Sequence, residues 1–108
     1  MWEVLYHPDA EVERGKLPAP ERTALYNAVR KLVEIGTDLS YPHSSAVKGA
    51  DRLRELRPRA GRSPWRAIYR QCGEAFVIAA VCPEAQQDPR GFRRGCAAAE
   101  ERLAEVEE

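Results

Sequence analysis

The 108-residue sequence is poor in the residues that build disulfide frameworks and metal centres, with three cysteines and two histidines. Cys72, Cys82 and Cys96 form no CxxC pair and no zinc-like cluster with a histidine, so we expect free, buried thiols, no metal and no cofactor. No stretch approaches the ~20 consecutive apolar residues that a membrane span requires. The first residues also lack the basic and then apolar layout of a secretory signal. The expectation is a cytoplasmic protein without a membrane partner.

The sequence also has no net charge, because 17 basic residues balance 17 acidic ones. This balance conceals a local excess: residues 48–70 contain eight basic and two acidic residues, a net charge of +6, whereas residues 1–47 carry −2 and residues 71–108 carry −4. Guanidinium groups stay charged and form bidentate bonds with phosphate, so this density of arginine favours a polyanionic partner. The competing interpretation is an ordinary exposed strand surface, neutralised by Asp51, Glu55 and the acidic C-terminal helix.

Hydrophobic periodicity predicts an α+β fold in a single domain over residues 1–108. We expect a small, mostly antiparallel sheet with helices packed on one face, which leaves arginines from neighbouring strands on the open face. Residues 37–50 are expected to form a long connection with a functional role. Strands are predicted at residues 2–6, 52–57, 65–71 and 75–81, a short helical turn near Asp9, and helices at residues 21–35, capped by Gly36, and from about residue 89.

Several sequence blocks carry a family resemblance. They are LRELR at 53–57, Gly61-Arg62, RAIY at 66–69, the apolar strand FVIAAV at 76–81 and the final helix GFRRGCAAAEERL. In this order they resemble the RelE/ParE superfamily of toxins from type II toxin–antitoxin modules, in its phage-derived, HigB-like branch. The resemblance implies a RelE-like fold. In the RNase branches it also implies cleavage of messenger RNA in the ribosomal A site, by attack of a ribose 2′-hydroxyl on the adjacent phosphate without a metal.

The resemblance also assigns roles to individual residues. Arg57 and Arg66 are the candidates for clamping the scissile phosphate, with Arg62 at the edge of the same site. Trp65 is a candidate for stacking a base, although a half-buried tryptophan of the core explains it equally well. Basic residues nearby, Lys48, Arg52 and Arg54 among them, are expected to contact the nucleic-acid backbone. The predicted substrate-binding residues are therefore Lys48, Arg54, Arg62, Trp65 and Arg90.

One departure bears on catalysis. Active RNases of this superfamily carry a basic or imidazole side chain and an aromatic after the last strand, whereas residues 81–87 read VCPEAQQ and Phe92 has no hydroxyl. Two other side chains, His43 and Glu55, could contribute to the site. An unperturbed imidazole changes charge near neutral pH, which makes His43 the candidate for proton transfer, and Glu55 is expected to form salt bridges that align the neighbouring arginines.

Three functions follow from these observations. The first is a ribosome-dependent mRNA endoribonuclease. The second is a non-catalytic, ParE-like inhibitor of DNA gyrase, for which absent acid–base groups are no objection, and the third is an attenuated toxin fold that acts only through its antitoxin. The expected partners are the ribosome with its mRNA and a cognate antitoxin, whose acidic and apolar segment masks the arginines in a hetero-oligomeric complex.

Overall fold

A computed structural model describes residues 1–107. The strands are β1 (Glu3–Tyr6), β2 (Ser44–Ala46), β3 (Arg54–Leu56), β4 (Trp65–Cys72) and β5 (Ala75–Pro83), and the helices are α1 (Pro8–Gly15), α2 (Ala19–Ile35) and α3 (Pro89–Val106). Short 3-10 turns cover Gly36–Asp38 and Pro58–Gly61. The sheet has the order β1-β5-β4-β3-β2, in which only the β1–β5 pair is parallel. The α+β class and the mostly antiparallel sheet are therefore confirmed.

Helix α2 forms where its apolar spacing predicts it. Pro20 lies in the first turn, where its missing N–H breaks no helical bond. Leu25, Ala28 and Leu32 recur at helical spacing and are buried against the sheet. The helix ends at Gly36, whose φ of 67° suits glycine and whose missing side chain leaves room for Trp2. This end of α2 fixes the direction in which the chain returns to the sheet.

The sheet is covered on both faces, so the expectation that all helices pack on one face was wrong. Ala67 and Tyr69 of β4 belong to the core under α1 and α2, whereas Ile68 between them belongs to a second core under α3. In β5, Val77 faces the same side as Ile68, and Leu103 of α3 packs on that cluster. Because this face carries apolar side chains, it requires a cover, and the amphipathic α3 supplies one.

Strand β2 lies inside the segment that the sequence predicted to be a connection. It is only three residues long, and it pairs antiparallel with β3 at the edge of the sheet. The buried Ser44 hydroxyl joins it to the core, because this group lies 2.6 Å from the Tyr69 hydroxyl and accepts a 3.0 Å hydrogen bond from Arg54 Nε. The strand brings His43 back beside α2.

A partly buried ion pair covers the edge of β5 beyond the end of β1. The Glu13 carboxylate of α1 accepts a 2.9 Å bond from the Val81 backbone N–H, and Arg102 Nη1 of α3 donates 2.8 Å to the Ala79 carbonyl. Arg102 Nη2 also bonds Glu13 at 2.9 Å. The pair thus satisfies strand groups that would otherwise lack partners and joins the two helices across the sheet edge. Across the described residues, no helix has the length and apolarity to cross a membrane.

Candidate functional site

The turn at residues 58–63 has an unusual backbone. Arg59 and Ala60 have φ angles of 54° and 55°, and Gly61 follows at 91°, so three consecutive residues lie in the left-handed region. Such a conformation costs about 1–2 kcal/mol for a non-glycine residue and persists only when its surroundings impose it. Glu21 of α2 provides one restraint, because its carboxylate accepts a 2.6 Å bond from Arg59 and a 2.7 Å bond from the Ser63 hydroxyl.

Arg66 restrains the same turn from the side of α3. Its side chain is only 3% exposed, and Nη1 donates to the Ser63 carbonyl at 2.7 Å while Nη2 donates to the Gly61 carbonyl at 3.1 Å. Nη1 also reaches the Trp65 carbonyl, and Nε bonds Glu55 at 3.1 Å. Burial lowers the pKa of Arg66, as does the nearby Arg57 charge, while Glu55 acts in the opposite direction. The guanidinium is therefore enclosed, with most of its donors bonded to the protein.

Arg57 contacts the same carboxylate but keeps a freer guanidinium. Its Nη1 lies 3.4 Å from Glu55, and its Nε donates to the Pro42 carbonyl at 3.0 Å. The guanidinium also stacks on the Tyr41 ring, with Cζ 5.0 Å from the ring centre. Nη2 packs so closely over Gly61 that a side chain at this glycine would displace it. Glu55 thus forms the salt bridges expected of it and aligns Arg57 and Arg66 together.

A cleft of about 240 Å³ opens between α2 and β3, beside Arg57. Four basic side chains line it, namely Lys31 from α2, His43 from the segment before β2, Arg57 and Arg59. No carboxylate is among its lining residues, which also include the polar Thr23 and Asn27. Arg59 is paired closely with Glu21, so Lys31 and the more loosely paired Arg57 provide most of the charge available to a ligand, and the His43 imidazole adds a hydrogen-bonding group. The cleft is suited to an anion of the size of a phosphate group.

The backbone fixes His43 relative to Arg57. The His43 carbonyl accepts a 2.9 Å bond from the Arg57 backbone N–H, and the His43 N–H donates to the Ser40 carbonyl at 2.9 Å. The structure therefore brings together two of the three residues predicted to be catalytic, His43 and Arg57, and places the third, Arg66, behind Glu55.

The predicted substrate-binding residues do not converge on this cleft, and none of them lines it. Arg54 lies on the α2 side of the sheet, bonded to Ser44, and Trp65 packs on the core of that side. Arg62 is exposed and donates to the Arg59 carbonyl at 3.1 Å. Lys48 lies in the exposed turn after β2, and Arg90 is exposed in the first turn of α3.

Two further arginines of the basic segment serve the packing of α3. Arg70 of β4 is 8% exposed at its side chain and contacts Glu100 and Glu107, each at 3.3 Å. Arg52, with a φ of 56°, pairs with Asp51 and Glu107. The acidic face of α3 thus neutralises this end of the segment, as the competing interpretation of the charge pattern expected, while Arg57 remains at the cleft.

Sequence reasoning missed three residues around the cleft: Lys31, Arg59 and Tyr41. Lys31 follows Thr23 and Asn27 at intervals of four, which places a polar stripe on one side of α2. That spacing could have revealed it. Nothing local indicates that Arg59 turns toward α2 or that Tyr41 meets Arg57, because both contacts depend on how distant segments pack.

Thiol chemistry does not supply the missing acid–base group. Burial, followed by the charges of Glu55 and Glu100, raises the pKa of Cys96 to about 11, and burial also raises the pKa of Cys82 well above its ordinary value. Both groups are therefore protonated at neutral pH and are poor nucleophiles. All three cysteines are free, although only Cys82 is fully buried.

Comparisons with known proteins add a family and a fold. Residues 13–82 match the family model described as "Phage derived protein Gp49-like (DUF891)". Among solved structures, a mutant of the E. coli toxin RelE in the free state is similar, with a TM-score of 0.61 and 15% identity over 86% of this chain and 96% of that one.

Two other E. coli structures agree. The isolated RelE toxin gives a TM-score of 0.62 and 14% identity over 87% of this chain and 98% of that one. A chain of the intact RelBE toxin–antitoxin complex gives a TM-score of 0.60 and 17% identity over 75% of this chain and 94% of that one. No curated protein matches the chain in sequence.

Proposed function

The chain belongs to the phage-derived Gp49-like family, and from that membership, its RelE-like fold and its cationic cleft we propose that it is the toxin of a type II toxin–antitoxin module. The resemblance inferred from the sequence is confirmed at the level of family and fold. The activity we propose is ribosome-dependent endoribonucleolytic cleavage of messenger RNA.

The observation that supports this activity is the cleft in which His43, Lys31 and Arg57 meet without a carboxylate. Cleavage requires a base near the ribose 2′-hydroxyl and positive charge around the phosphate that it attacks. His43 would accept the 2′-hydroxyl proton, and Arg57 would stabilise the negative charge that develops on the phosphorane. Lys31, whose ammonium group also lines the cleft, would donate a proton to the leaving 5′-oxygen in this scheme. The products are a 2′,3′-cyclic phosphate and a free 5′-hydroxyl.

Arg66 takes a positioning role in this proposal rather than direct contact with phosphate. To reach a substrate, its guanidinium would have to leave Glu55 and three backbone carbonyls. In its observed position, Arg66 holds Glu55 and the turn at 58–63, and these two features set the position of Arg57. The substrate-binding residues proposed from the sequence, Lys48, Arg54, Arg62, Trp65 and Arg90, would act on more distant parts of the ribosome or the messenger.

The proposed partners follow from the same surface. A cognate antitoxin with an acidic and apolar segment would neutralise the cleft in a hetero-oligomeric complex, in keeping with the intact toxin–antitoxin complex formed by a protein of the same fold. The proposed location is the cytoplasm, where ribosomes and messenger RNA are found.

One observation favours a second candidate function. Residues 83–87, after the last strand, contain no lysine, arginine or histidine. A ParE-like inhibitor that contacts DNA gyrase needs no acid–base group, and an attenuated fold that only binds its antitoxin needs none either. In both cases the cleft would bind a protein carboxylate rather than a phosphate.

The decisive experiment is addition of purified protein to a cell-free translation reaction, with primer extension on the messenger. We expect cuts at defined codon positions, and we expect Arg57→Ala and His43→Ala each to reduce cleavage at least about 100-fold. Arg30→Ala, which removes an exposed arginine of α2 that does not line the cleft, is the matched control and should cleave normally. Intact messenger would contradict the proposal, and inhibition of gyrase supercoiling with translation unaffected would establish the second candidate.

A further inference from the structure

Tyr41 is an exposed aromatic side chain that stacks on Arg57, one of the residues that line the cleft. It is 71% exposed, whereas Phe76 packs against both Trp2 and Tyr69 in the core. The predicted stacking residue, Trp65, is half-buried against that core. Tyr41 therefore presents an open aromatic surface beside Arg57, a cation that lines the cleft.

The ring is held in place by Arg57. The guanidinium stacks on one side of the ring with Cζ 5.0 Å from its centre, and Nε donates to the carbonyl of the next residue, Pro42. The backbone N–H of Arg57 donates to the carbonyl of His43. Three contacts therefore attach residues 41–43 to one arginine that also lines the cleft, and most of the ring surface remains open.

We propose that Tyr41 and the cleft form a binding site for one nucleotide of single-stranded RNA, with the base stacked on the open side of the Tyr41 ring and its phosphate held by Arg57, Lys31 and His43. Stacking on an aromatic side chain beside a cationic groove is how single strands are bound without sequence selection. Duplex RNA is excluded as the ligand, because its bases are already stacked on one another. This inference rests on the proposed function, since it names the ligand of the same cleft.

The test is the affinity of the purified chain for a short, unstructured, fluorescein-labelled RNA, measured by anisotropy without ribosomes. Tyr41→Ala is expected to weaken binding roughly 5- to 100-fold, and Tyr41→Phe, which keeps the ring, should bind like the original chain. Tyr26→Ala is the matched control, because Tyr26 is also exposed, at 60%, and belongs to α2 rather than to the segment 41–43 that Arg57 contacts. It should leave the affinity unchanged.

A second RNA with abasic residues separates stacking from charge. We expect the original chain and Tyr41→Ala to bind it equally, because the phosphate contacts remain and the stacked base is absent. An equal loss on both RNAs, no loss on either, or no RNA binding by the original chain would overturn the inference. So would a glutamate-rich peptide that binds as tightly as the RNA and depends equally on Tyr41, since the surface would then serve a protein partner.

The RNA-binding assay and the messenger-cleavage assay test the two proposals independently. Tyr41-dependent RNA binding without messenger cleavage would refute the endoribonuclease and leave this site standing. Messenger cleavage by a Tyr41→Ala protein with unchanged RNA affinity would refute the site and leave the enzyme standing.

Discussion

Two arginines that contact the same carboxylate differ in burial and in the number of hydrogen bonds that they form with the protein. Arg66 and Arg57 both contact Glu55, and they lie nine positions apart in the basic segment. Arg66 is 3% exposed and bonds three backbone carbonyls, whereas Arg57 is 19% exposed, stacks on Tyr41 and borders an open cleft. Sequence reasoning grouped them as one phosphate clamp.

The difference lies in how many donors remain free. An arginine has five N–H donors, and burial of a guanidinium is costly unless most of these donors are bonded. Arg66 uses its donors to hold a left-handed turn together, so its charge serves the fold. Arg57 uses few donors on the protein, so its charge can serve a ligand. A high density of arginine therefore overstates the cationic surface unless each guanidinium is assigned its partners.

The largest expected effect is that of Arg66→Ala on stability. The change leaves the Glu55 carboxylate without its shorter partner and the Gly61 and Ser63 carbonyls without donors, so we expect the free energy of unfolding to fall by about 3–5 kcal/mol. Urea denaturation followed by circular dichroism measures it.

Arg62→Ala is the control for that variant, since Arg62 is exposed and donates only to the nearby Arg59 carbonyl. A change within about 0.5 kcal/mol is expected for it. If the two variants unfolded at the same urea concentration, Arg66 would not be the structural arginine, and direct contact with phosphate would again be its best role.

A smaller effect is expected for Gly61→Ala, compared with Gly49→Ala. Both glycines have positive φ, 91° and 76°, so each alanine should cost about 1–2 kcal/mol of backbone strain. Only at Gly61 does the new Cβ meet a neighbour, Arg57 Nη2 at 2.5 Å, while nothing lies within 4 Å at Gly49.

Messenger cleavage should separate these two glycine variants. Displacement of Arg57 by Gly61→Ala is expected to reduce cleavage by up to about 100-fold, whereas Gly49→Ala should retain it. Equal activity in both variants would show that the position of Arg57 over the turn is unimportant for the reaction.

The sequence predicted the elements whose pattern is local. Helix α2 and strands β4 and β5 appear within two residues of their predicted limits, because each carries a long apolar periodicity. The continuous apolar run FVIAAV in β5 is typical of a strand buried on both faces, and helices do cover both sides of this strand. Strand β2 was missed because three residues, Ser-Ser-Ala, carry no usable period and form a strand only through pairing with β3.

The candidate site was only partly predictable for a related reason. Arg57 and His43 were found from residue type and family position. The burial of Arg66 depends on carbonyls of a left-handed turn, and the cleft depends on the approach of α2 to β3. Neither the burial of Arg66 nor the cleft is indicated by the residues adjacent in sequence. Counting charges could therefore not show that Arg66 is buried while Arg57 borders a cleft.

The smallest expected effect concerns the other restraint on the turn, Glu21. Hydrogen bonds from Ser63 and then Arg59 lower the pKa of Glu21 below its ordinary value, so its stabilising effect is present above that ordinary pKa and is lost as pH falls through the folded-state value. Glu21→Gln should therefore destabilise by less than about 1 kcal/mol near neutral pH, and the difference from the original chain should shrink as pH is lowered to about 3. Urea midpoints across this range measure it, with Glu34→Gln, at an exposed ion pair of the same helix, as the control. A difference independent of pH would mean that the carboxylate charge does not hold the turn, which would leave Arg66 as its main restraint.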